Sequence, residues 1–321
     1  MKRPIVVVGS INLDLVARAD RLPQIGETIA GRDFHSFQGG KGANQAVAAA
    51  RLGCPVAIVG CVGSDTFGAQ LRGGLEAAGV DTSCVTTVDG PSGTALITTG
   101  GRGENTIVVA PGANGLVDPA QLEKAIPLIE RAGILLAQLE IPLETVTCLA
   151  EIAERRNIPL ILDPAPAREL PRSLLRRICW ITPNETETQI LLGRITTVEA
   201  TDAAADTLLT YGVKNVLLKL GLNGCIIAEG NHPKEHIPAF AVDAVDTTAA
   251  GDAFNAGFAV GLMREYTVRD SARFASAVAA LSVTRAGAQS SMPSADEVER
   301  FMEQREARIA GGLRETVTTN E

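Results

Sequence analysis

The stretch AVDTTAAGDAFNAG, residues 244–257, places an anion cradle and a carboxylate within a few residues of each other. Val242–Val245 reads as the end of a strand, and Asp246, Thr247 and Thr248 supply oxygens of the helix-capping type. Ala249, Ala250 and Gly251 are small enough to let a ligand touch the backbone, and from Asp252 the run FNAGFAVGLM reads as a buried helix. Such a turn gathers backbone N–H groups at one point, and the helix dipole adds to their pull on a phosphate. The positive helix end is expected to keep Asp252 ionised. The chemistry this suggests is phosphoryl transfer to a hydroxyl, with Asp252 taking the proton. By itself the stretch would equally make an ordinary capped helix.

Four further motifs carry polar groups. In FQGGKGANQAVAAARLG, residues 37–53, Gly39, Gly40 and Gly42 let backbone approach a ligand while Lys41, Asn44 and Gln45 offer donors. It is no Walker A loop, because His35 stands where the first Gly is needed and Gly42 follows the Lys. In GSINLD, residues 9–14, Asn12 and Asp14 share one side of an extended chain and suit sugar hydroxyls, or a solvated loop. In TPNETE, residues 182–187, Asn184 and Glu187 suit a hydrated Mg²⁺ or a phosphate, or a capping box. KLGLNG, residues 219–224, is a turn able to cradle a nucleotide, or a plain hairpin before CIIAEG.

The elements that must position these groups alternate. Strand-like runs at Ile5–Val8, Val56–Val59, Ile134–Gln138, Leu160–Leu162, Trp180–Thr182 and Val216–Leu218 are interleaved with helical patterns at Ala43–Leu52, Phe67–Ala78, Leu143–Arg156 and Thr201–Tyr211. Alternation of this kind predicts an α/β fold, a mostly parallel sheet covered on both faces, with ligands beyond the carboxyl ends of its strands. Residues 13–37 and 92–110 break the alternation and read as a small β lid, the second with a hairpin around Gly100–Gly103. No linker divides the chain, so a single domain over 1–308 is expected, with a flexible tail over 309–321.

Composition excludes several classes. With 321 residues, 45% hydrophobic and 21% charged, the chain suits a soluble globular protein with a large core. Aromatics are only 3%, so that core is aliphatic. A net charge of −8 without a basic block argues against a nucleic-acid partner. The apolar runs are too short for a bilayer. Lys2–Arg3 leads straight into a strand, and the six cysteines form no CxxC pair, so a cytoplasmic protein with reduced thiols is expected. His232 and His236 have metal-compatible spacing but lie in the polar NHPKEH, and three histidines without a nucleophile elbow give a Ser-His hydrolase little support.

Together GSINLD, GGKGANQAVAA, DPAPARELP, ITPNETE, VDTTAAGDAFN and VTRAGAQSS resemble the ribokinase family of carbohydrate kinases, over about residues 4–305. The resemblance implies a three-layer α/β/α domain with a lid, and ATP-dependent phosphorylation of D-ribose at O5 with Mg²⁺ and K⁺ as activators. It implies sugar contacts from Asn12, Asp14, Gly40, Lys41, Gly42, Ala43, Asn44 and Glu140, with Asp252 as base and Ala249, Ala250 and Gly251 as anion hole. ATP falls to Asn184, Lys219, Leu220, Gly221, Leu222, Asn223, Gly224 and Ser276, with Glu187 linked indirectly to Mg²⁺. Asp246, Thr248, Ser282, Arg285, Gly287 and Ser291 fall where the family holds a monovalent cation, and a homodimer through the lid is implied. Lys219 departs from a common Thr, Ser276 from a His, and Thr248 from an apolar residue. Deoxyribose, fructose, a keto-deoxy sugar acid or a nucleoside are rival substrates, although the lid holds only Phe34 and Phe37 for stacking a base. A sugar-binding regulator would have lost Asp252 or Gly251, and both are present.

Overall fold

The structure is a computed structural model describing residues 3–193, 201–230 and 232–317, with backbone alone from 307 onward. Its elements run β1 (Ile5–Val8), β2 (Asn12–Arg18), β3 (Asp33–Gly39), α1 (Lys41–Arg51), β4 (Val56–Gly63), α2 (Thr66–Ala77) and β5 (Val80–Val88). They continue with β6 (Gly93–Thr99), β7 (Asn105–Ala110), α3 (Pro119–Ile129), β8 (Ile134–Ala137), α4 (Leu143–Arg156), β9 (Leu160–Leu162), α5 (Arg172–Leu175) and β10 (Trp180–Ile181). The last are α6 (Glu185–Leu192), α7 (Thr201–Thr210), β11 (Asn215–Lys219), β12 (Cys225–Glu229), β13 (Glu235–Ile237), α8 (Ala250–Met263), α9 (Val268–Ser282) and α10 (Ala295–Val317).

Nine strands form the main sheet in the order β13-β12-β11-β10-β9-β8-β1-β4-β5. Pairing is parallel from β11 through to β5, and only β12 and β13 run antiparallel at one edge. Parallel neighbours need crossovers, which the intervening helices supply. Side chains of a strand alternate faces. Within β1, Ile5 and Val7 join one buried cluster with α1, α8 and α9, while Val6 and Val8 join another with α3, α4 and α7. The expected aliphatic core is thus two layers, one on each face. Trp180 belongs to the first layer and packs edge-on against Phe258, centroids 4.9 Å apart.

β1 is the switch point of the sheet. The chain winds from it towards β4 and β5 on one side, then returns to lay β8 through β11 on the other. A crevice opens beyond the carboxyl ends of strands at such a point. Over it lies the second sheet, β3-β2-β6-β7, built from the two segments that break the alternation. Its outer strand β7 is exposed along its whole length.

Two local readings change. Val242–Val245 is no strand: the segment has no strand partner, and Val245 N and Asp246 N donate instead to the Val283 carbonyl at 2.8 and 3.1 Å. The NHPKEH region contributes β13, paired to β12, and His236 Nε2 lies 2.6 Å from the Asn223 carbonyl. α10 extends to Val317, into the segment expected as a flexible tail, and 318–321 lie outside the described residues. No disulfide joins the six cysteines, and burial pushes the Cys225 thiol up to about 12, which leaves it inert. Among the described residues no helix is long and apolar enough to cross a membrane.

Candidate active site

Several polar groups follow strands of the main sheet: Ser10 and Asn12 after β1, Glu140 after β8, Asp163 after β9, Asn184 after β10, and Lys219 at the end of β11, whereas Lys41 and Asn44 follow β3 of the small sheet and Asp252 follows no strand. The start of α1 is wedged against the turn after β1. A methyl group on Gly42 would lie 2.6 Å from the Gly9 carbonyl carbon, and Gly40 has φ +87°, so both positions require glycine. The wedge is tied by Ala43 N to the Ser10 carbonyl (2.9 Å), and by Lys41 N (3.0 Å) and Ser10 Oγ (2.5 Å) to Glu140 Oε2.

Asp252 stands at the start of α8, 3% exposed. Asn44 Nδ2 donates to its Oδ2 at 3.0 Å and Gln45 Nε2 to its Oδ1 at 3.1 Å. Gln45 Nε2 also donates to Asp163 Oδ2 (3.2 Å), and Gln138 Nε2 donates to Gln45 Oε1 (2.7 Å), which orients that amide. Lys219 Nζ meets Asp163 Oδ1 at 3.1 Å. A chain Lys219–Asp163–Gln45–Asp252 therefore runs under the site. Gln45 was expected only as a donor beside the glycine turn, and Asp163 and Gln138 were not among the expected site residues; their position directly after β9 and β8 is the signal that could have found them.

The electrostatics follow from burial among carboxylates. Burial pushes Asp252 up to about 6, with Asp163 adding to the rise and Lys41, Asn44 and Gln45 opposing it. The helix end therefore does not set its charge, as the sequence alone suggested; burial dominates. Asp252 still remains mostly ionised at neutral pH. Burial likewise lifts Asp14 to about 7, helped by Glu140 and Asp252. Burial would lower the Lys41 ammonium, but Asp252, Asp163, Glu140 and Glu187 outweigh it and keep it protonated.

The helix start is open. Ala249 adopts a left-handed conformation (φ 59°) and no side chain caps α8. Ala250 N is taken by the Thr247 carbonyl (3.2 Å), whereas the N–H groups of Ala249, Gly251 and Asp252 have no partner among the described residues. The cap oxygens are used elsewhere. Asp246 Oδ1 accepts from Thr248 N (2.9 Å) and Oγ1 (2.6 Å), and its Oδ2 accepts from Gly287 N (2.8 Å). Burial opposes the Asp246 charge, but these donors prevail and hold it below the ordinary carboxylate range.

A cavity of about 500 Å³ opens onto this helix start. Lys41, Asp163, Glu187, Lys219, Gly251 and Asp252 form its polar end, and Phe240, Ala279 and Val283 its apolar end beside Ser276. Asn184 and Glu187 do form a capping box, Glu187 N to Asn184 Oδ1 and Asn184 N to Glu187 Oε2, each 2.8 Å, and both line the cavity. Of the 219–224 turn, Lys219, Gly221, Leu222 and Gly224 line it; Leu220 is 5% exposed in the core and Asn223 turns its carbonyl to His236. Asn12, Asp14, Gly40, Gly42, Ala43, Asn44 and Glu140 do not line this cavity, but Asn44 and Glu140 bond to Asp252 and the Lys41 backbone, which do flank it. Asn12 Oδ1 accepts from Asn114 Nδ2 (2.6 Å), so its own amide nitrogen is left for a ligand. In the candidate cation group, Asp246, Thr248 and Gly287 meet directly, beside the chain leaving Ser282. The Arg285 side chain pairs with Glu297 (2.5 Å) and Ser291 Oγ donates to the Ala288 carbonyl (2.8 Å). No cluster of His, Cys, Asp and Glu suited to a metal occurs among the described residues, His232 and His236 included.

A buried carboxylate at an uncapped helix start, on the wall of a cavity of about 500 Å³ lined by two lysines, suits a small-molecule kinase. Comparisons agree. The chain is 42% identical to the ribokinase of Bacillus subtilis over 302 residues, 94% of this chain and 99% of that one. It is 36% identical to the deoxyribokinase of Salmonella typhi, over 93% of this chain and 98% of that one. It superposes on Arabidopsis thaliana ribokinase, solved with ribose and ATP, with a TM-score of 0.87 at 35% identity, covering 94% of this chain and 99% of that one. Residues 2–295 match the pfkB family carbohydrate kinases, and the chain belongs to that family.

Proposed function

We propose that this kinase transfers the γ-phosphoryl of ATP to O5 of D-ribose, giving D-ribose 5-phosphate and ADP. The observation that carries the reading is Asp252, held through both oxygens by Asn44 and Gln45 at the wall of the cavity. The relatives named ribokinase, spanned almost end to end, support ribose as the sugar.

Asn12, Asp14, Gly40, Lys41, Gly42, Ala43, Asn44 and Glu140 bind the sugar. ATP fills the cavity, against Asn184, Ser276 and the 219–224 turn. The bond from O5 to the γ-phosphorus forms as the bond to the β,γ-bridging oxygen breaks. That oxygen keeps the electron pair and leaves with ADP, while the O5 proton passes to Asp252. A base titrating near 6 suits this role at neutral pH. Open N–H groups at the start of α8 meet the charge on the phosphoryl oxygens. The lid excludes water, the competing acceptor.

Both Glu187 oxygens already accept from Asn184, so Glu187 would hold Mg²⁺ through water, the usual habit of this ion. The ion would neutralise phosphate charge. The loops at 246–248 and 282–291 offer oxygen donors only, which suits K⁺, and Arg285 contributes through its carbonyl because its side chain is engaged. K⁺ would stiffen the loop that leads into α8. We assign the exposed face of Phe34, Leu96 and Val108 to a second copy of the chain in a cytoplasmic homodimer.

A panel of ribose, 2-deoxyribose, fructose, 2-keto-3-deoxygluconate and adenosine, each with ATP and Mg²⁺, tests the reading. Ribose should give the highest kcat/KM. A higher value for any other acceptor would reassign the substrate.

A further inference from the structure

Lys219 and Lys41 are the basic residues lining the cavity, and Lys219 is the one that ends β11 beside α8. Its side chain is 11% exposed and its ammonium pairs with Asp163, itself 2% exposed. A plain structural ion pair would close on itself, but this one does not. The ammonium carries three donors, and the pair with Asp163 uses one. A methyl group built on Gly251 would lie 3.4 Å from Lys219 Nζ, so the ammonium overhangs the first turn of α8. The unpartnered N–H groups of Gly251 and Asp252 belong to the same turn. Asp163 also keeps a donor when Lys219 turns away, since Gln45 Nε2 remains on its other oxygen at 3.2 Å.

We infer that Lys219 contacts the terminal phosphoryl of ATP, shared between that group and Asp163, and so distinguishes the triphosphate from the diphosphate. The inference rests on the reading that the terminal phosphoryl sits at the start of α8. The phosphoryl next to Asp252 is the one being transferred, and Nζ lies over the residue before Asp252. A lysine suits the task because its ammonium is a point charge on a flexible stem, able to follow the phosphoryl as it moves. Once ADP is left, the terminal group is gone and Lys219 returns wholly to Asp163. Product release then breaks no contact of this residue.

The test is calorimetric binding, without sugar and with Mg²⁺, of β,γ-methylene-ATP and of ADP to the full chain and to Lys219→Met. Losing a charge-assisted hydrogen bond should weaken β,γ-methylene-ATP about 10-fold or more, with ADP changed less than about threefold. Lys219→Met leaves Asp163 buried beside an apolar chain, so Asp163→Asn/Lys219→Met removes the whole pair and should show the same selective loss. Equal weakening of both nucleotides, or no weakening of either, overturns the contact while leaving the kinase reading in place. Failure of the unmodified chain to bind either nucleotide overturns both.

Discussion

Replacing Gln45 with Met removes one amide that serves two buried carboxylates. Gln45 Nε2 lies 3.1 Å from Asp252 Oδ1 and 3.2 Å from Asp163 Oδ2, and Met keeps the length of the side chain without a donor. The donor favours the charged form of Asp252, so its loss raises the pKa. Asp163, left without the amide between them, repels Asp252 more strongly, which acts in the same direction. A hydrogen bond to a charged group contributes roughly 1.5–3 kcal/mol, and about 1.4 kcal/mol equals one pKa unit, so a rise of roughly one to two units is expected. Starting from about 6, the base should then titrate one to two units higher. At pH 6 the ionised fraction, and with it kcat/KM, should fall about 5- to 50-fold, whereas at pH 9 the base is again almost fully ionised and the loss should be about 10% at most. The assay is chromatographic detection of ADP from ATP and ribose between pH 5.5 and 9. A variant whose acid limb stays in place, with activity lowered by one factor throughout, would refute the argument. Gln45 would then be packing alone.

Asp252→Asn should lower kcat by about 10²–10⁴-fold while ribose binding, followed by calorimetry, survives; near-unmodified turnover would remove Asp252 as the base. Exchanging K⁺ for choline at constant ionic strength should lower activity well below the K⁺ level, and equal rates would sink the cation loop. Val108→Asp on the exposed lid strand, 63% exposed, should shift the chain to monomer in sedimentation equilibrium. A chain already monomeric before the substitution would remove the dimer.

Much of the architecture was legible because it rests on local repeats. The buried runs of β1, β8, β9 and β11 announce a parallel sheet, since only strands covered on both faces are apolar throughout. The lid was legible as the two segments where alternation failed. Val242–Val245 misled because an apolar run resembles a strand, yet a strand exists only with a neighbour, and the edge beside β12 is taken by β13.

The fold class, the placement of Glu140, Asn184 and Lys219 after strands, and Asp252 at a helix start as the candidate base could all be read from the sequence. They were legible because strand and helix periods and glycine turns act over a few residues. Only the tertiary structure decided what surrounds Asp252. Gln45 reaches Asp163 across 118 positions and Asp252 across 207, and Asn44 reaches Asp252 across 208. The same packing left α8 uncapped by turning Asp246 towards Gly287, and let burial override the helix dipole in setting the charge of Asp252. Desolvation and convergence of distant carboxylates are properties of the packed interior, and no stretch of chain contains them.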